Sequence, residues 1–223
     1  MSEQTHRRIS SYGRNRGRKL GAGRTRLEKE LLPTLLLDTQ RLDLSAYDAW
    51  QLEIGFGSGE HLAMQAALHP DIGFIGCEPY ITAATKLLVD IEKKQLDNIR
   101  LYNGDARDLM AALPDHALER CFILFPDPWP KARHHKRRLV NHALLDELHR
   151  ILTPQAELLI ATDHEDYLTW ILEHLLARTD VTWQANQPAD WQQPPQDWVT
   201  TKYQAKAERE GREPCWLSVS LLP

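Results

Sequence analysis

Length, composition and charge favour a folded protein with one principal domain. The chain has 223 residues, of which 42% are hydrophobic and 26% charged, and these values exclude a wholly disordered, collagen-like or membrane-embedded chain. No apolar run approaches the roughly 18 residues of a membrane span, and no apolar signal segment follows the charged start. The three cysteines fit neither a zinc motif nor a disulfide framework. We expect a cytoplasmic protein.

The net charge of −4 is unevenly distributed along the chain. Residues 1–26 hold eight of the 27 Lys/Arg and one of the 31 Asp/Glu, so they carry +7 and the remainder −11. Interleaved glycines predict flexibility, and basic arms of this kind bind nucleic-acid phosphates or form solvated tails. We predict a flexible basic arm over 1–26, a single domain over 27–223, and RNA contacts from Arg7, Arg8, Arg14, Arg16 and Arg18.

Short apolar runs alternate with helical patterns after the arm. Strands are predicted at 50–54, 72–77, 99–102, 120–125, 157–161 and 216–221. Helices are predicted at 26–32, 59–68, 81–94, 106–113, 141–152 and 166–177. Five successive βα units indicate an α/β fold with a doubly wound, mostly parallel sheet. The segment 186–199, rich in Gln, Pro and Trp, is predicted to be a long loop.

Glycines and an acid follow the first predicted strand, where ligands of such sheets bind. The segment EIGFGSGE contains Glu53, Gly55, Gly57 and Gly59, and glycine lets the backbone turn tightly and approach a ligand. Glu60 stands where a dinucleotide fingerprint needs its third glycine, which argues against a nicotinamide dehydrogenase. An acid before G-x-G-x-G is better suited to S-adenosylmethionine, whose ammonium group Glu53 can bind.

Two further acids follow the next two predicted strands. Glu78 can accept hydrogen bonds from both hydroxyls of a ribose. Asp105, followed by Ala106 in the motif NGDA, can accept from an adenine amino group beside apolar side chains. Each acid alone could equally be a helix cap or a surface charge. With the glycine turn, the acids at three consecutive strand ends predict a nucleoside cofactor.

The fourth predicted strand ends in FPDPWP, which is followed by KARHHKRR. Three prolines hold Asp127 and Trp129 rigidly, although a plain structural turn is the alternative. Residues 131–138 contain five Lys/Arg, two histidines and no acid. Because no carboxylate or cysteine stands at ligand spacing, we expect no metal site. The segment instead predicts RNA contact by Arg133, His134, His135, Lys136, Arg137 and Arg138.

Together these motifs resemble the bacterial tRNA (guanine-N7-)-methyltransferase family over nearly the whole chain. The matching segments are RRISSYGRNRG, LEIGFGSGEHL, FIGCEPY, NGDA, FPDPWPKARHHKRR, ATDHEDY and TKYQAKAEREG. The resemblance implies a Rossmann-like, S-adenosylmethionine-dependent enzyme that methylates guanine 46 in the variable loop of tRNA. It implies donor contacts from Glu53, Glu78, Asp105 and Asp127, and target-nucleoside contacts from Lys131, Asp163, Thr201, Lys202, Tyr203 and Gln204. A monomer and a homodimer are both compatible with the sequence.

One residue departs from the family pattern. The late family motif usually reads T-K-F/Y-E, whereas this chain has Gln204. A carboxylate can accept two hydrogen bonds from the edge of guanine, while an amide offers one oxygen and an opposing donor. The sequence therefore predicts that Gln204→Glu strengthens binding of a guanine substrate by about 1–3 kcal/mol.

Asp127 is the predicted catalytic residue, because positive charge moves from the donor sulfur onto the purine during transfer. A carboxylate beside the base can stabilise that charge and orient the ring. Two other functions remain open at this point. One is a nucleic-acid methyltransferase directed at an exocyclic amino group, and the other is a non-catalytic RNA-binding protein that retains the fold.

Overall fold

The computed structural model describes residues 22–222, without the side chains of residues 81–83. Within this range seven strands form one sheet in the order β3-β2-β1-β4-β5-β7-β6. The strands are β1 Trp50–Ile54, β2 Gly73–Cys77, β3 Ile99–Tyr102, β4 Leu118–Leu124, β5 Leu152–Thr162, β6 Val181–Trp183 and β7 Cys215–Leu221.

Strands β1 to β5 pair in parallel, and β7 runs antiparallel between β5 and β6. All residues of β1 and β2 are buried, as expected for parallel strands with elements packed on both faces. The predicted α/β fold with a doubly wound, mostly parallel sheet is confirmed. The three-residue β6 was not predicted, because a strand that short has no measurable alternation.

The helices after the first five strands lie close to their predicted positions. They are α3 Glu60–Leu68, α4 Ile81–Lys94, α5 Ala106–Ala112, α6 His142–Ile151 and α7 Glu165–Leu176. Asn141 caps α6, because its side-chain oxygen accepts the N–H of Leu144 at 3.1 Å. None of the helices in residues 22–222 combines the length and apolar character needed to cross a membrane.

The first helical segment differs from its predicted bounds. Instead of one helix over 26–32, there are two, α1 Ala22–Glu30 and α2 Leu32–Leu35. Pro33 lies in the first turn of α2, where its missing N–H has no intrahelical partner to lose. Residues 22–26 of the predicted arm are therefore helical. Arg7, Arg8, Arg14, Arg16 and Arg18 lie outside the described residues.

Three further elements were not predicted from the sequence. They are a 3₁₀ helix over Ala132–Arg137, α8 Ala189–Gln192 within the predicted loop, and α9 Lys202–Arg209. The 3₁₀ helix is mostly basic and α9 is mostly polar, so neither has the apolar run that signals a buried helix. Thr201 caps α9 by accepting the N–H of Gln204 at 3.2 Å.

The sheet is covered differently on its two faces. Helices α5, α6 and α7 pack on one face, and α1 to α4 pack on the β1–β3 side of the other. The rest of that second face, formed by Phe122, Leu159 and Trp216 among others, is covered by Trp198 from the late loop. A loop thus replaces a helix beside the carboxyl ends of the strands.

Candidate active site

A crevice opens where the strand order reverses, between β1 and β4. These two strands are adjacent and parallel, and the helices that follow them pack on opposite faces of the sheet. Ligands of doubly wound sheets bind at this switch point. The glycine turn after β1 and the segment 125–130 after β4 therefore flank the crevice.

The turn after β1 requires glycine at more than one position. Gly55, Gly57 and Gly59 have φ of 75°, 57° and 78°, a region that side chains other than glycine rarely adopt. A Cβ on Gly57 would lie 2.9 Å from the ring of Tyr203, and one on Gly59 would lie 2.8 Å from Leu87. Gly57 and Gly59 are thus packed against neighbouring side chains, whereas nothing lies within 4 Å of a Cβ on Gly55.

Glu78 holds the glycine turn from the end of β2. Its carboxylate accepts the backbone N–H of Gly57 at 3.0 Å and that of Tyr80 at 2.9 Å. Burial raises the pKa of Glu78, and these two N–H groups oppose that shift. Because each carboxylate oxygen can accept more than one hydrogen bond, the same group can brace the turn and bind a ligand hydroxyl.

Glu53 forms a buried pair with a residue that sequence analysis did not select. His61 Nδ1 lies 2.8 Å from Glu53 Oε2, and the two residues are 2% and 3% exposed. They line a small cavity together with Gly55, Phe56, Glu60, Leu124, Thr201 and Tyr203. His61 directly follows Glu60 in the segment GSGEHL. Its place within the glycine motif was the sequence feature that could have marked it as a site residue.

Asp105 occupies the helix-cap role that the sequence left open. Its carboxylate accepts the N–H of Arg107 at 3.0 Å at the start of α5, and it also pairs with the Arg107 guanidinium. Ala106 is buried directly behind it. A cap and a ligand contact are compatible, because the carboxylate has several acceptor positions.

The segment after β4 carries backbone strain. Phe125 and Trp129 have φ of 53° and 44°, and non-glycine residues in this region are strained. The Arg137 guanidinium lies 4.9 Å from the Trp129 ring centroid, and His134 meets the same ring edge-on at 5.8 Å. Asp127, which lies between Phe125 and Trp129 in the sequence, is exposed. Strain of this kind concentrates at functional sites, where surrounding contacts maintain it.

The basic segment divides into exposed and buried cations. Lys131, just before the 3₁₀ helix, and Arg133 and Lys136 within it are exposed. Desolvation and the neighbouring cations, Arg137 foremost, lower the pKa of His134, so this ring carries less positive charge near neutral pH than an ordinary histidine.

Arg138 was predicted to contact RNA, but the structure places it in the interior. It is 2% exposed. Its Nε–H donates to the carbonyl oxygen of Pro128 at 2.9 Å, and its guanidinium pairs with Asp166. That hydrogen bond lowers the pKa of Asp166. A buried cation needs such partners, so Arg138 supports the strained segment from within the protein.

Lys202 and Tyr203, from the late motif TKYQ, contact the glycine turn. Lys202 Nζ hydrogen-bonds Ser58 Oγ, and Tyr203 lies over Gly57. Burial raises the pKa of Tyr203, with further contributions from the charges of Glu78 and Asp127. The structure thus brings together side chains that are more than 70 residues apart in the sequence.

The remaining groups considered from the sequence are Asp163, possible metal ligands and the cysteines. Asp163 follows β5 and accepts from Arg212 Nε at 2.7 Å, a partner that sequence analysis did not select. Within residues 22–222, no group of three or more His, Cys, Asp or Glu side chains is placed to hold a metal ion. All three cysteines are buried free thiols.

Comparison with known proteins decides the family. A family model described as "Putative methyltransferase" matches residues 48–216. The chain is 43% identical to the tRNA (guanine-N(7)-)-methyltransferase of Rhodospirillum rubrum, over 97% of this chain and 89% of that protein. It is 45% identical to the protein of the same name from Roseobacter denitrificans, over 98% of both. The chain belongs to the tRNA (guanine-N(7)-)-methyltransferase family.

Solved structures with the same fold are more distant in sequence. The 16S rRNA methyltransferase KamB aligns with a TM-score of 0.57 at 15% identity, covering 80% of this chain and 90% of that one. An rRNA methylase from Streptococcus thermophilus aligns with a TM-score of 0.54 at 12% identity, covering 78% and 87%. At these identities the similarity shows the fold alone, a Rossmann-like methyltransferase sheet.

Gln204, the departure from the family motif, is directed into the protein. It is 6% exposed. Its Oε1 accepts the indole N–H of Trp198 at 2.5 Å, and its Nε2 donates to Glu208 Oε1 at 2.8 Å. Both ends of the amide are therefore bonded within the protein. The expected gain in guanine binding from Gln204→Glu stays a prediction, and a carboxylate at this position would face the carboxylate of Glu208.

We expect Gln204→Glu to lower the free energy of unfolding by about 1–3 kcal/mol, since a buried hydrogen bond is replaced by like-charge repulsion. The double variant Gln204→Glu/Glu208→Gln restores an amide–carboxylate pair with the roles reversed, and should recover most of the loss. Urea denaturation of the three proteins measures both effects. Equal stability of the single variant and the wild type would contradict the pairing of Gln204 with Glu208.

Proposed function

We propose that the protein transfers a methyl group from S-adenosylmethionine to N7 of guanine 46 in the variable loop of tRNA. Support comes from the relatives of that name, which match nearly the whole chain. The observation that carries the proposal is the arrangement at one sheet edge. Acids and a glycine turn follow β1, β2 and β3, and a strained segment with an exposed basic helix follows β4.

The residues present fit the donor. Gly55 leaves open space beside the backbone, because nothing lies within 4 Å of a Cβ at this position. Glu53 presents a carboxylate at the cavity for the ammonium group, Glu78 would accept the ribose hydroxyls, and Asp105 beside Ala106 would bind the adenine. When bound, S-adenosylmethionine supplies a methyl group on a sulfonium, which is electrophilic.

Positioning is the main task of the protein in this reaction. Guanine N7 has an in-plane lone pair and no proton, so the attack on the methyl group needs no general base. Holding the reactants in line can contribute on the order of 7–11 kcal/mol. Lys202 and Tyr203, which lie over the glycine turn, would exclude water from the reacting atoms.

Asp127 would stabilise the positive charge that develops on the purine. It is exposed between the two strained residues of the segment 125–130, and its negative charge acts on Tyr203 across the crevice. Trp129 and Tyr203 offer rings for stacking on the base, and Lys131, Asp163 and Thr201 would contact the target nucleoside. Because the major groove of an RNA helix is deep and narrow, the base has to be unstacked before N7 is reached.

The atom that is methylated distinguishes this proposal from its alternatives. Purified protein is incubated with S-adenosylmethionine and unmodified tRNA, and the digested nucleosides are analysed by mass spectrometry. The proposal expects 7-methylguanosine. An amino-methylated nucleoside would indicate the amino-directed enzyme, and donor binding without methyl transfer would indicate a non-catalytic RNA-binding protein.

We also propose that the exposed cations of the 3₁₀ helix, together with the basic segment 1–26, bind tRNA phosphates. Replacing Arg133 and Lys136 with alanine should weaken tRNA binding and flatten its salt dependence. The slope of log K against log salt should fall by about one per cation, roughly two in all. Fluorescence anisotropy at several salt concentrations measures the slope.

A matched control removes cations at the opposite edge of the sheet. Lys93 and Lys94 end α4, which runs back from the crevice, and both are exposed. Their replacement by alanine should leave the slope unchanged. An equal change in both variants would mean that the effect comes from net charge and would contradict a localised RNA surface.

A further inference from the structure

Trp198 joins the late loop to the back of the crevice. Its ring centroid lies 5.3 Å from that of His61, 5.6 Å from that of Trp216 and 6.5 Å from that of Phe125. The preceding residue, Asp197, anchors the loop, because its carboxylate pairs with Arg120 at 3.2 Å and its carbonyl accepts from Gln65 at 3.1 Å. Trp198 is therefore held firmly against the end of β4.

Two contact paths meet at this ring. On one side His61, which touches Trp198, is hydrogen-bonded to Glu53 at 2.8 Å. On the other side the indole N–H donates to Gln204 Oε1 at 2.5 Å, in the first turn of α9. Under the proposed function Glu53 would bind the donor, and α9 carries Tyr203, which would stack on the target base.

His61 has little freedom to turn on its own. Its ring is held between Phe122, with centroids 4.7 Å apart, and Trp198, and it is almost fully buried. Close-packed rings of this kind move together, because protein interiors are densely packed. A change in the tilt of Trp198 thus changes the position of the imidazole and the direction of the Glu53 carboxylate.

We propose that Trp198 is a positioning residue that couples binding of the methyl donor at Glu53 to binding of the tRNA substrate at α9. The inference rests on the proposed function, since it takes Glu53 to bind the donor and α9 to contact the base. A substrate that contacts α9 shifts Gln204, hence Trp198 and His61, and so improves donor binding. By thermodynamic linkage the donor improves substrate binding by the same factor.

The test measures the factor by which tRNA changes donor affinity. S-adenosylhomocysteine, the demethylated donor, is titrated by calorimetry with and without saturating unmodified tRNA. The wild type should bind it about 5-fold more tightly with tRNA. Trp198→Phe keeps a ring against His61 but loses the N–H to Gln204, so its factor should fall to about one. Trp183→Phe, on the edge strand β6, should keep the wild-type factor.

Trp198→Leu tests the other half of the path. It removes the ring from His61 and should weaken binding of S-adenosylhomocysteine even without tRNA, while a thermal melt shows that the variant is folded. Three results would overturn the coupling but not the proposed function. They are a wild type whose donor affinity does not change with tRNA, a Trp198→Phe variant that keeps the wild-type change, and a Trp198→Leu variant with full donor affinity. Absence of donor binding by the wild type would overturn the proposed function, and this inference with it.

Discussion

Replacing Asp127 with alanine is expected to lower the rate of methyl transfer roughly 100-fold, the typical loss when one preorganised electrostatic group is removed. The side chain is exposed within the strained segment 125–130. Alanine there keeps the backbone but removes the negative charge beside the purine. Single-turnover measurement with saturating donor and tRNA isolates this step from binding and product release.

Two further variants make the Asp127 result specific. Asp127→Asn keeps the size and a hydrogen-bonding oxygen but removes the charge, so a loss close to that of alanine assigns the effect to charge. Asp97→Ala removes an exposed acid just before β3, at the opposite edge of the sheet, and should retain the wild-type rate. Undiminished transfer in Asp127→Ala would remove this residue from the mechanism.

The second large effect is on stability. Gly59→Ala is expected to lower the free energy of unfolding by roughly 2–5 kcal/mol, because strain and overpacking act together. Gly59 has φ of 78°, and the new Cβ would lie 2.8 Å from Leu87, which is fully buried in α4. Urea denaturation monitored by circular dichroism measures the change.

Two other glycines separate strain from crowding. Gly211 has φ of 71° with nothing within 4 Å of a Cβ, and Gly23 has neither a positive φ nor a close neighbour. Gly211→Ala should therefore cost about 1–2 kcal/mol from the backbone alone. Gly23→Ala, within α1, should cost nothing, since alanine is favoured in helices. A loss in Gly59→Ala no larger than that in Gly211→Ala would contradict the close packing of α3 against α4.

The parallel part of the fold was predictable because its signal is local. Each buried strand is a short apolar run, and each following helix shows its own periodicity, so β1, β2 and β3 were located to within a residue. The position of the crevice also follows from the alternation of strands and helices, since the carboxyl ends of parallel strands meet at one edge. Glu53, Glu78 and Asp105 could therefore be selected from the sequence.

The parts that escaped prediction depend on contacts between distant segments. Nothing near Gln204 in the sequence shows that Trp198 and Glu208 bond both ends of its amide. Arg138 belongs to the same basic run as the exposed Arg133 and Lys136. The Asp166 carboxylate and the Pro128 carbonyl nevertheless hold it in the interior. Polar residues are buried where tertiary partners compensate for lost hydration, and sequence patterns do not reveal those partners.

Methyl transfer to two tRNA transcripts tests the central claim most directly. One is unmodified, and the other carries 7-deazaguanosine at position 46, which keeps the Watson–Crick edge of the base but lacks N7. Labelled S-adenosylmethionine should transfer its methyl group to the first transcript, with cleavage selective for 7-methylguanosine at position 46, and not to the second. Equal labelling of both transcripts would contradict N7 of guanine 46 as the acceptor.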